Sequence, residues 1–314
     1  MRLVTQRPRA RVECGPAGKE TREGMDGAMG EESRTKAVLV TGATSGIGRA
    51  AAELLAARGH RVFVTGRRPE ILRRLAAQGH ETLTLDVTDP ESISRAREEI
   101  ELRTDGRGLD VLVNCAGFSS PGPLELVSDE DLRRQFDVNV FGLMAVTRAF
   151  VPAMRERAEG LVVNVGGPRA RGPLPLDGPY DASKWALRSL TSALRAELAP
   201  FGVRVAIVEP STTRTGLVDS ALGNLAGHRD GGPYAIALAR AREAHDHAYR
   251  DAPGTEAAAH AIVRAVESRR ARPRYGSLAD RLRAAAKERL PGCPHKAAER
   301  QSFGPPAPAG GAGV

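Results

Sequence analysis

Tyr180 and Lys184 stand four residues apart in the segment Y-D-A-S-K, a spacing that brings both side chains to one face of a helix. An ammonium held near a phenol favours the phenolate and lowers a pKa that starts at about 10. Tyr180 could then donate a proton to a carbonyl oxygen in a reduction, or accept one from an alcohol in an oxidation. The same spacing also occurs in ordinary surface pairs on helices, so its meaning depends on the surrounding elements.

A glycine-rich segment from Thr41 to Gly48 supplies part of that context, because it follows the first short apolar run of the chain. Gly42, Gly46 and Gly48 are spaced G-x-x-x-G-x-G. Glycines let a backbone turn sharply and approach a pyrophosphate, which then meets free N–H groups at the start of a helix. The segment therefore predicts a dinucleotide site, with a plain tight turn between strand and helix as the alternative.

Arg67 indicates which dinucleotide this site prefers. The second apolar run ends in Thr65-Gly66-Arg67-Arg68, where NAD-preferring sites place an acid that binds the ribose 2′-hydroxyl. An arginine at this place can instead pair with a 2′-phosphate through charge-assisted hydrogen bonds. The sequence predicts NADP(H) in preference to NAD(H), and the alternative is that Arg67 is a solvated loop residue.

The elements that must position these residues alternate between strand and helix from Lys36 onward. Short apolar runs predict strands at 37–40, 61–65, 82–85, 109–114, 161–165, 203–208 and 274–275. Longer segments predict helices at 47–58, 69–78, 90–103, 129–157, 180–198 and 256–267, and a polar, irregular segment runs from Ser211 to Gly254. This alternation predicts an α/β fold: a single Rossmann-type doubly wound parallel sheet with helices on both faces. Ligands of such sheets bind beyond the carboxyl ends of the strands.

The domain organisation follows from length and composition. A chain of 314 residues with 41% hydrophobic content suits one sizeable domain with tails. We predict a disordered leader at 1–35 and a Rossmann-fold domain at 36–276, with a substrate lid at about 212–252. A basic helix, placed at 278–290, and a disordered tail would occupy 277–314.

Charge and cysteine usage exclude several classes of protein. Most of the net charge of +8 lies between Arg269 and Arg300, which holds ten basic and three acidic residues. Because aromatic residues make up only 4%, we predict a solvated basic face and no nucleic-acid partner, with weak contact to an anionic membrane surface as the alternative. No apolar run approaches the ~20 residues of a membrane span, so no transmembrane segment is expected. Three dispersed cysteines and the lack of an apolar signal core predict a cytoplasmic protein with reduced thiols and no metal site.

Several motifs in one order give the chain a family resemblance. They are T-G-A-T-S-G-I-G at 41–48, D-V at 86–87, N-C-A-G at 114–117, Y-D-A-S-K at 180–184 and a proline after the sixth strand. Together they resemble the short-chain dehydrogenase/reductase family over about residues 36 to 276. The run R-P-R-Y at 272–275 is similar to the branch that contains retinol and hydroxysteroid dehydrogenases.

The resemblance implies a role for each matching residue. Tyr180, Lys184 and Asn139 would be catalytic, with Asn139 supporting the lysine through water. The cofactor would be held by Gly42, Thr44, Ser45, Gly46, Ile47, Gly48, Arg67, Asp86, Val87, Asn114, Ala116, Gly117, Tyr180, Lys184, Pro210 and Thr215. The long helices around Asn139 and at 180–198 commonly form the subunit interface in this family, which implies a homodimer or homotetramer.

One member of the family's catalytic set is missing from this sequence. The family places a serine about thirteen residues before the tyrosine, and that position is Gly167 here, preceded by Gly166. Losing one such hydrogen-bond donor costs about 2.7–4 kcal/mol of transition-state stabilisation, by analogy with oxyanion holes. A water or a substrate group could replace the hydroxyl, the protein could bind NADP(H) without turnover, or Tyr180 could serve a different reaction such as a cyclisation or dehydration.

The sequence thus predicts an NADP(H)-dependent oxidoreductase that interconverts an alcohol and a ketone or aldehyde, with Tyr180 as general acid and base. The alternative is an NADP(H)-binding relative with absent or altered, non-redox catalysis because of Gly167. Substrate specificity would come from the loops at 118–123, 169–179 and 212–252, which follow strand ends. The apolar residues of these loops, such as Leu174 and Leu176, predict an apolar small-molecule substrate.

Overall fold

The computed structural model describes residues 34–167, 175–217, 232–250 and 252–276. The predicted leader up to residue 33, the basic helix at 278–290 and parts of two substrate loops lie outside these ranges. The described strands are β1 (Ala37–Val40), β2 (Arg61–Gly66), β3 (Glu81–Thr84), β4 (Val111–Asn114), β5 (Gly160–Val165), β6 (Val203–Val208) and β7 (Arg274–Tyr275).

All seven strands pair in parallel in the order β3-β2-β1-β4-β5-β6-β7. Strand order reverses at β1, which pairs with β2 on one side and with β4 on the other. This reversal separates the connections above the sheet and opens a crevice at the carboxyl ends of β1 and β4. The predicted α/β class and doubly wound sheet are confirmed.

The helices cover both faces of the sheet. They are α1 (Gly46–Ala57), α2 (Pro69–Ala77), α3 (Pro90–Arg103), α4 (Asp129–Phe136), α5 (Leu143–Glu156), α6 (Gly178–Leu198), α7 (Ala235–Arg250) and α8 (Glu256–Glu267). Alternate strand residues serve opposite faces, since Val38 and Val40 pack in the cluster with α1 and α8, and Leu39 packs in the cluster with α3 and α5.

The helical stretch predicted at 129–157 is interrupted at the residues that matter most. A π-helical turn, Asp137–Gly142, separates α4 from α5. A Cβ atom on Gly142 would stand 2.7 Å from the Val87 carbonyl oxygen and 2.8 Å from that of Asp137. Only glycine therefore allows the helix to pack this closely on the loop after β3, and periodicity alone could not reveal the turn.

The predicted irregular segment before Gly254 contains a helix, which corrects the sequence analysis. Residues Ala235–Arg250 form α7 after a short 3₁₀ turn, Gly232–Tyr234. Leu238 and Ala241 of this helix are buried in a small cluster with Leu176, which precedes α6. The helix is stabilised by this tertiary packing. Because its composition is polar, the hydrophobic pattern of the sequence did not predict it.

One stretch, Asp129–Glu156, is long and apolar enough to cross a membrane, although the sequence analysis expected no such segment. In the fold Val146, Phe150 and Met154 of this stretch are buried against the sheet. An apolar helix of a protein core meets the same criteria of length and composition.

A buried imidazole lies at the other end of the sheet, where the strands begin, just before β2. His60 is 6% exposed and its Nδ1 accepts a hydrogen bond from the backbone N–H of Lys36 at 3.4 Å. Its Nε2 is buried without a hydrogen-bond partner among the residues described and lies 3.8 Å from Glu267. Burial, together with the nearby charge of Lys36, lowers the pKa of His60.

Candidate active site

The glycine segment after β1 lies at the point where strand order reverses. Gly42 has a φ of 65°, and a Cβ atom on it would stand 2.8 Å from the Cα of Ala116. A Cβ atom on Gly48 would stand 2.7 Å from the Gly42 carbonyl oxygen. These glycines are therefore required by the close approach of three backbone segments, and the glycine turn forms the floor of a narrow cleft.

The first turn of α1 brings the leading amide groups of a helix to this cleft. The helix begins at Gly46, and Ser45 before it makes no side-chain capping bond with any described residue. The leading N–H groups of a helix have no intrahelical acceptor and carry partial positive charge. Thr215 stands opposite, since a Cβ atom on Gly46 would be 3.4 Å from its Cβ and Cγ2. Gly46, at the start of the helix with Ile47 and Gly48, thus lies next to Thr215, at a helix start of the kind that binds anions.

Thr41 ties this turn to the neighbouring strand, a role that the sequence analysis missed. Its buried Oγ1 accepts hydrogen bonds from the backbone N–H groups of Cys115 and Ala116, both at 3.0 Å. One hydroxyl therefore fixes the loop after β4 relative to the loop after β1. The available signal was a hydroxyl residue at the end of a fully buried strand, where it needs a partner.

Asn114 turns away from the cleft and into the core. Its Nδ2 donates to Thr147 Oγ1 and to Asn164 Oδ1, both at 3.0 Å, and Asn164 Nδ2 donates to Thr191 Oγ1 at 2.9 Å. This buried network joins β4 and β5 to α5 and α6, because Thr147 lies on α5 and Thr191 on α6. Among the motif residues, Asn114 contributes to the frame of the site, and Ala116 and Gly117 form its surface.

The segments after β2 and β3 meet at the far end of the cleft. A side chain on Gly66 would collide with Thr44, so the second strand ends directly beside the glycine turn. Arg67 Nη1 lies 3.7 Å from Asp86 Oδ2, and the arginine side chain remains 60% exposed. Burial alone would raise the pKa of Asp86, but hydrogen bonds from Thr88 and the charge of Arg67 bring it below its ordinary value.

Tyr180 and Lys184 lie at the start of α6, and both are partly buried at the sheet end. The Lys184 Nζ is 5.7 Å from the centre of the Tyr180 ring and donates a hydrogen bond to the Val165 carbonyl oxygen at 3.1 Å. Burial lowers the pKa of Lys184 to about 8. Burial also raises the pKa of Cys115 to about 11, so this neighbouring thiol carries no charge at neutral pH.

Asn139 is fully buried in the π-helical turn and reaches two elements at once. Its Oδ1 accepts from the Phe118 N–H at 3.1 Å, and its Nδ2 donates to the Phe118 carbonyl at 3.1 Å. The same Nδ2 donates to Ser183 Oγ at 3.0 Å, and Ser183 Oγ donates to the Tyr180 carbonyl at 2.7 Å. The side chain of Asn139 therefore contacts the loop after β4 and the first turn of α6. Its support of Lys184 through water stays a prediction. Ser183 is a second residue that sequence reasoning missed.

The two glycines after β5 face different surroundings. A Cβ atom on Gly166 would approach Ile207 Cδ1 to 3.0 Å, which is the core side of the strand end. A Cβ atom on Gly167 would approach Lys184 Cγ to 3.2 Å, which is the catalytic side. Gly167 is thus the position from which a serine hydroxyl would enter this site, and it offers no side-chain donor.

The loops that the sequence analysis assigned to substrate binding contain apolar residues in their described parts. Leu176 has an unusual positive φ of 71°, is buried with Leu238 of α7, and accepts a hydrogen bond on its carbonyl from Gly122 N–H at 2.8 Å. Leu124 follows Gly122 by two residues and is 66% exposed, and Ile236 precedes Leu238 by two residues and is 63% exposed. The remaining loop residues, 168–174 and 218–231, and the predicted contribution of Leu174 lie outside the described structure.

Metal chemistry finds no ligand cluster in the part of the chain that the structure describes. Groups of three or more histidine, cysteine, aspartate or glutamate side chains with metal-binding geometry do not occur there.

Pro210, the other predicted cofactor contact, follows the buried end of β6 and is partly exposed.

Comparison with known proteins gives a consistent group of relatives. The family model described as short chain dehydrogenase matches residues 36–224. A 3-ketodihydrosphingosine reductase of Bacteroides thetaiotaomicron is 35% identical over 184 residues, which cover 58% of this chain and 66% of that protein. Retinol dehydrogenase 16 of Mus musculus is 40% identical over 190 residues, which cover 59% of each protein. The matched region therefore spans slightly less than two thirds of the length of these two relatives.

Solved structures share the fold. A short chain dehydrogenase/reductase from Burkholderia phymatum in complex with NAD superimposes with a TM-score of 0.68 and 27% identity, covering 80% of this chain and 92% of that one. A short chain dehydrogenase from Burkholderia cenocepacia in complex with NADP gives a TM-score of 0.63 and 26% identity, covering 87% of this chain and 100% of that one.

Proposed function

The chain belongs to the short-chain dehydrogenase/reductase family of oxidoreductases, in the branch with retinol and hydroxysteroid dehydrogenases, and we propose that it interconverts an alcohol and a ketone or aldehyde with NADP(H). The observation that carries the proposal is the pair at the start of α6. The Lys184 ammonium lies 5.7 Å from the centre of the Tyr180 ring, and the glycine turn after β1 supports a dinucleotide site at the same end of the sheet. A phenol and an ammonium so placed are the proton donor and its electrostatic support in carbonyl reduction.

The residues of the cleft fit a nicotinamide dinucleotide. The amide groups at the start of α1 would bind its pyrophosphate, and Thr215 would close over Gly46. Asp86 and Val87 would hold the adenine. Ala116 and Gly117, with Asn114 behind them, would line the cleft, and Pro210 would stand near the nicotinamide. When bound, the nicotinamide gives a hydride to the carbonyl carbon or accepts one from the alcohol carbon.

The preference for NADP(H) rests on Arg67. Structural neighbours bind NAD or NADP, which supports a nicotinamide cofactor of either kind. The Arg67 side chain is 60% exposed beside Asp86, so its guanidinium is accessible to a 2′-phosphate. No acidic residue occupies the four positions Thr65 to Arg68 to bind a free 2′-hydroxyl.

Proton transfer follows from the electrostatics of α6. Tyr180 would donate its phenolic proton to the substrate carbonyl oxygen, and the resulting phenolate would be stabilised by the Lys184 ammonium. With a pKa of about 8, Lys184 is mostly protonated at neutral pH. Its hydrogen bond to the Val165 carbonyl holds the ammonium beside the ring. Asn139 and Ser183 fix the backbone of Tyr180 itself.

Gly167 favours a second candidate function. Because Gly167 provides no hydroxyl for the reacting oxygen, Tyr180 would stabilise it without this serine, and a water or a substrate group would have to fill the role. If neither does, the protein binds NADP(H) with no turnover or with non-redox chemistry at Tyr180. Loss of one such donor lowers a rate by about 10²–10³-fold, so a slow reductase is also consistent with the site.

Substrate, assembly and location are part of the same proposal. The apolar residues in the loops predicted to bind substrate suit an apolar ketone or alcohol, and the relatives are named for a keto compound and for retinol. Phe141 and Trp185 are 60% and 47% exposed on the π-helical turn and α6, which suits an interface in a homodimer or homotetramer. We place the protein in the cytoplasm, with weak contact of its basic residues to an anionic membrane surface as the alternative.

The test is NADPH consumption over a panel of apolar ketones and aldehydes, with wild type, Tyr180→Phe and Gly167→Ser measured together. Turnover by wild type that Tyr180→Phe abolishes would support a reductase that works without the serine. A silent wild type with an active Gly167→Ser would refute the reductase and support the second candidate. Turnover unaffected by Tyr180→Phe would exclude the proposed role of the tyrosine.

A further inference from the structure

Gln135 is a completely buried polar residue on α4, one turn before Asn139. Its Oε1 accepts a hydrogen bond from the Ser120 N–H at 2.9 Å, and its Nε2 donates one to the Phe118 carbonyl at 2.7 Å. The side-chain amide of Gln135 thus gives the loop after β4 one hydrogen-bond acceptor and one donor, as the backbone of an adjacent strand would. The proposed proton transfer does not involve Gln135, so the burial of this polar side chain needs a separate explanation.

Asn139, one helical turn later, also forms hydrogen bonds with the backbone of Phe118. Its amide binds both the N–H and the carbonyl of Phe118, so that carbonyl accepts from two side chains at 2.7 and 3.1 Å. The Arg134 guanidinium lies 5.2 Å from the centre of the Phe118 ring and holds it from the outer side. Residues 118–120 are therefore fixed at backbone and side chain.

These bonds form a continuous path from the substrate loop to the catalytic helix. It runs from Ser120 through Gln135, the Phe118 carbonyl and Asn139 to Ser183, and ends on the Tyr180 carbonyl. The π-helical turn carries the middle of this path. Asn139 keeps its own bonds to Phe118 and Ser183 when Gln135 is replaced, so a change at residue 135 should release residue 120 and leave the first turn of α6 oriented.

We propose that Gln135 is a positioning residue: it fixes residues 118–120 as a rigid wall of the substrate site and so determines which substrates reach Tyr180. The inference rests on the proposed function, because it assigns to that same site the residue that shapes its substrate end. A wall held by four side-chain hydrogen bonds admits substrates by shape and does not adapt to them.

The chemistry of the position requires glutamine. The site presents one backbone donor and one backbone acceptor, and a carboxamide offers the matching acceptor and donor. A glutamate at 135 could accept from Ser120 but would set a carboxylate against the Phe118 carbonyl. A methionine has a similar shape and satisfies neither group, which leaves a buried N–H without a partner.

The experiment measures amide hydrogen exchange and steady-state kinetics on Gln135→Met, with Gln78→Met as the matched control. Gln78 ends α2 at an exposed position, where its Oε1 accepts only a long 3.4 Å bond from Arg49 among the bonds observed. In Gln135→Met we expect the Ser120 amide to exchange at least about tenfold faster and KM for bulky ketones to rise about tenfold, with kcat within about twofold. The control should match wild type in both measurements. If Gln135→Met does not fold, Gln135→Asn, which keeps the amide but cannot span both bonds, replaces it.

The outcomes separate this inference from the proposed function. Should wild type show no turnover, the proposed function fails. Affinity for the same ketones is then read from the fluorescence of Trp185, the single tryptophan, in the presence of NADPH. Unchanged exchange at Ser120 overturns the inference whether or not the protein turns over. It is also overturned if kcat falls as steeply as KM rises, or if ketone affinities equal those of the control.

Discussion

Gly167 lies directly against the aliphatic part of Lys184: a Cβ atom on the glycine would stand 3.2 Å from Lys184 Cγ and 3.3 Å from its Cβ. A side chain at 167 must therefore displace the lysine by a few tenths of an ångström. The position that lacks the expected hydroxyl is the one on which the catalytic lysine rests, so adding the hydroxyl and moving the lysine cannot be separated by one substitution.

Two substitutions at Gly167 separate these effects. Gly167→Ala adds the volume alone, and we expect it to lower the free energy of unfolding by less than about 1 kcal/mol, because the lysine stem can shift. Gly167→Ser adds a hydrogen-bond donor at nearly the same volume, and its kcat should exceed that of Gly167→Ala by at least about tenfold. Urea denaturation and NADPH consumption provide the measurements. Equal kcat values for the two variants would show that the hydroxyl has no role here.

The Lys184 ammonium should stabilise the Tyr180 phenolate during the reaction and lower the free energy of unfolding of the protein. Burial lowers its pKa to about 8 from 10.5, so the native state holds this proton less tightly than the unfolded chain does. The resulting loss of stability is present at neutral pH and disappears as pH rises from about 8 to 10.5. We expect Lys184→Met to raise the free energy of unfolding at pH 7 by about 1 kcal/mol and to reduce kcat at least about hundredfold. Denaturation at pH 7 and pH 10 tests this, since the stability advantage of the variant should shrink at the higher pH.

Arg67 should select between the two nicotinamide cofactors. Replacing it with alanine removes the accessible guanidinium beside Asp86, and we expect KM for NADPH to rise about 10–100-fold. KM for NADH should change less than about threefold, because that cofactor has no 2′-phosphate. Arg73→Ala on α2 is a suitable control for the loss of one positive charge in the same region. A parallel rise for both cofactors would place Arg67 outside the 2′-phosphate site.

His60 should make the fold sensitive to mild acid. Burial lowers its pKa below 6.5, so in the window between that lowered value and 6.5 the unfolded chain binds more protons than the native state. Stability is therefore lost as pH falls from 6.5 through the lowered pKa of the native state. His60→Gln should be less stable at pH 7 but lose less stability between pH 7 and pH 5 than wild type. Chemical denaturation at both pH values measures the difference, and equal slopes for the two proteins would contradict the prediction.

Buried strands and the glycine turn were predictable because local sequence specifies them. Val38, Leu39 and Val40 form a short apolar run that ends at a glycine, and the observed β1 has the predicted bounds. Tyr180 and Lys184 were found by their spacing together with the glycine turn and the alternating elements before them, since a helix converts sequence distance into a shared face. These features depend on neighbours in the chain.

The remaining features depend on partners distant in sequence. The π-helical turn exists because Gly142 packs on the Val87 carbonyl, and α7 is stabilised by Leu176, which is more than 50 residues earlier. Gln135 has no visible signal, because a polar residue that follows two arginines on the strongly polar helix α4 is typical of an exposed helix face. Its importance appears only when residues 118–120 are placed against it.

The pairing of β1 has a consequence for the order in which this protein can assemble. Val38 lies opposite Val111 of β4, and Thr41 then binds the amide groups of Cys115 and Ala116, more than 70 residues further on. A nascent chain that has completed its glycine turn must keep that turn open until β4 has left the ribosome. Because contacts of such large sequence separation form slowly, and because Tyr180 and Thr215 are made later still, cofactor affinity should emerge only in the second half of synthesis. The cofactor cleft is thus an end product of folding, and cellular supply of the dinucleotide would favour the completed chain over every shorter intermediate.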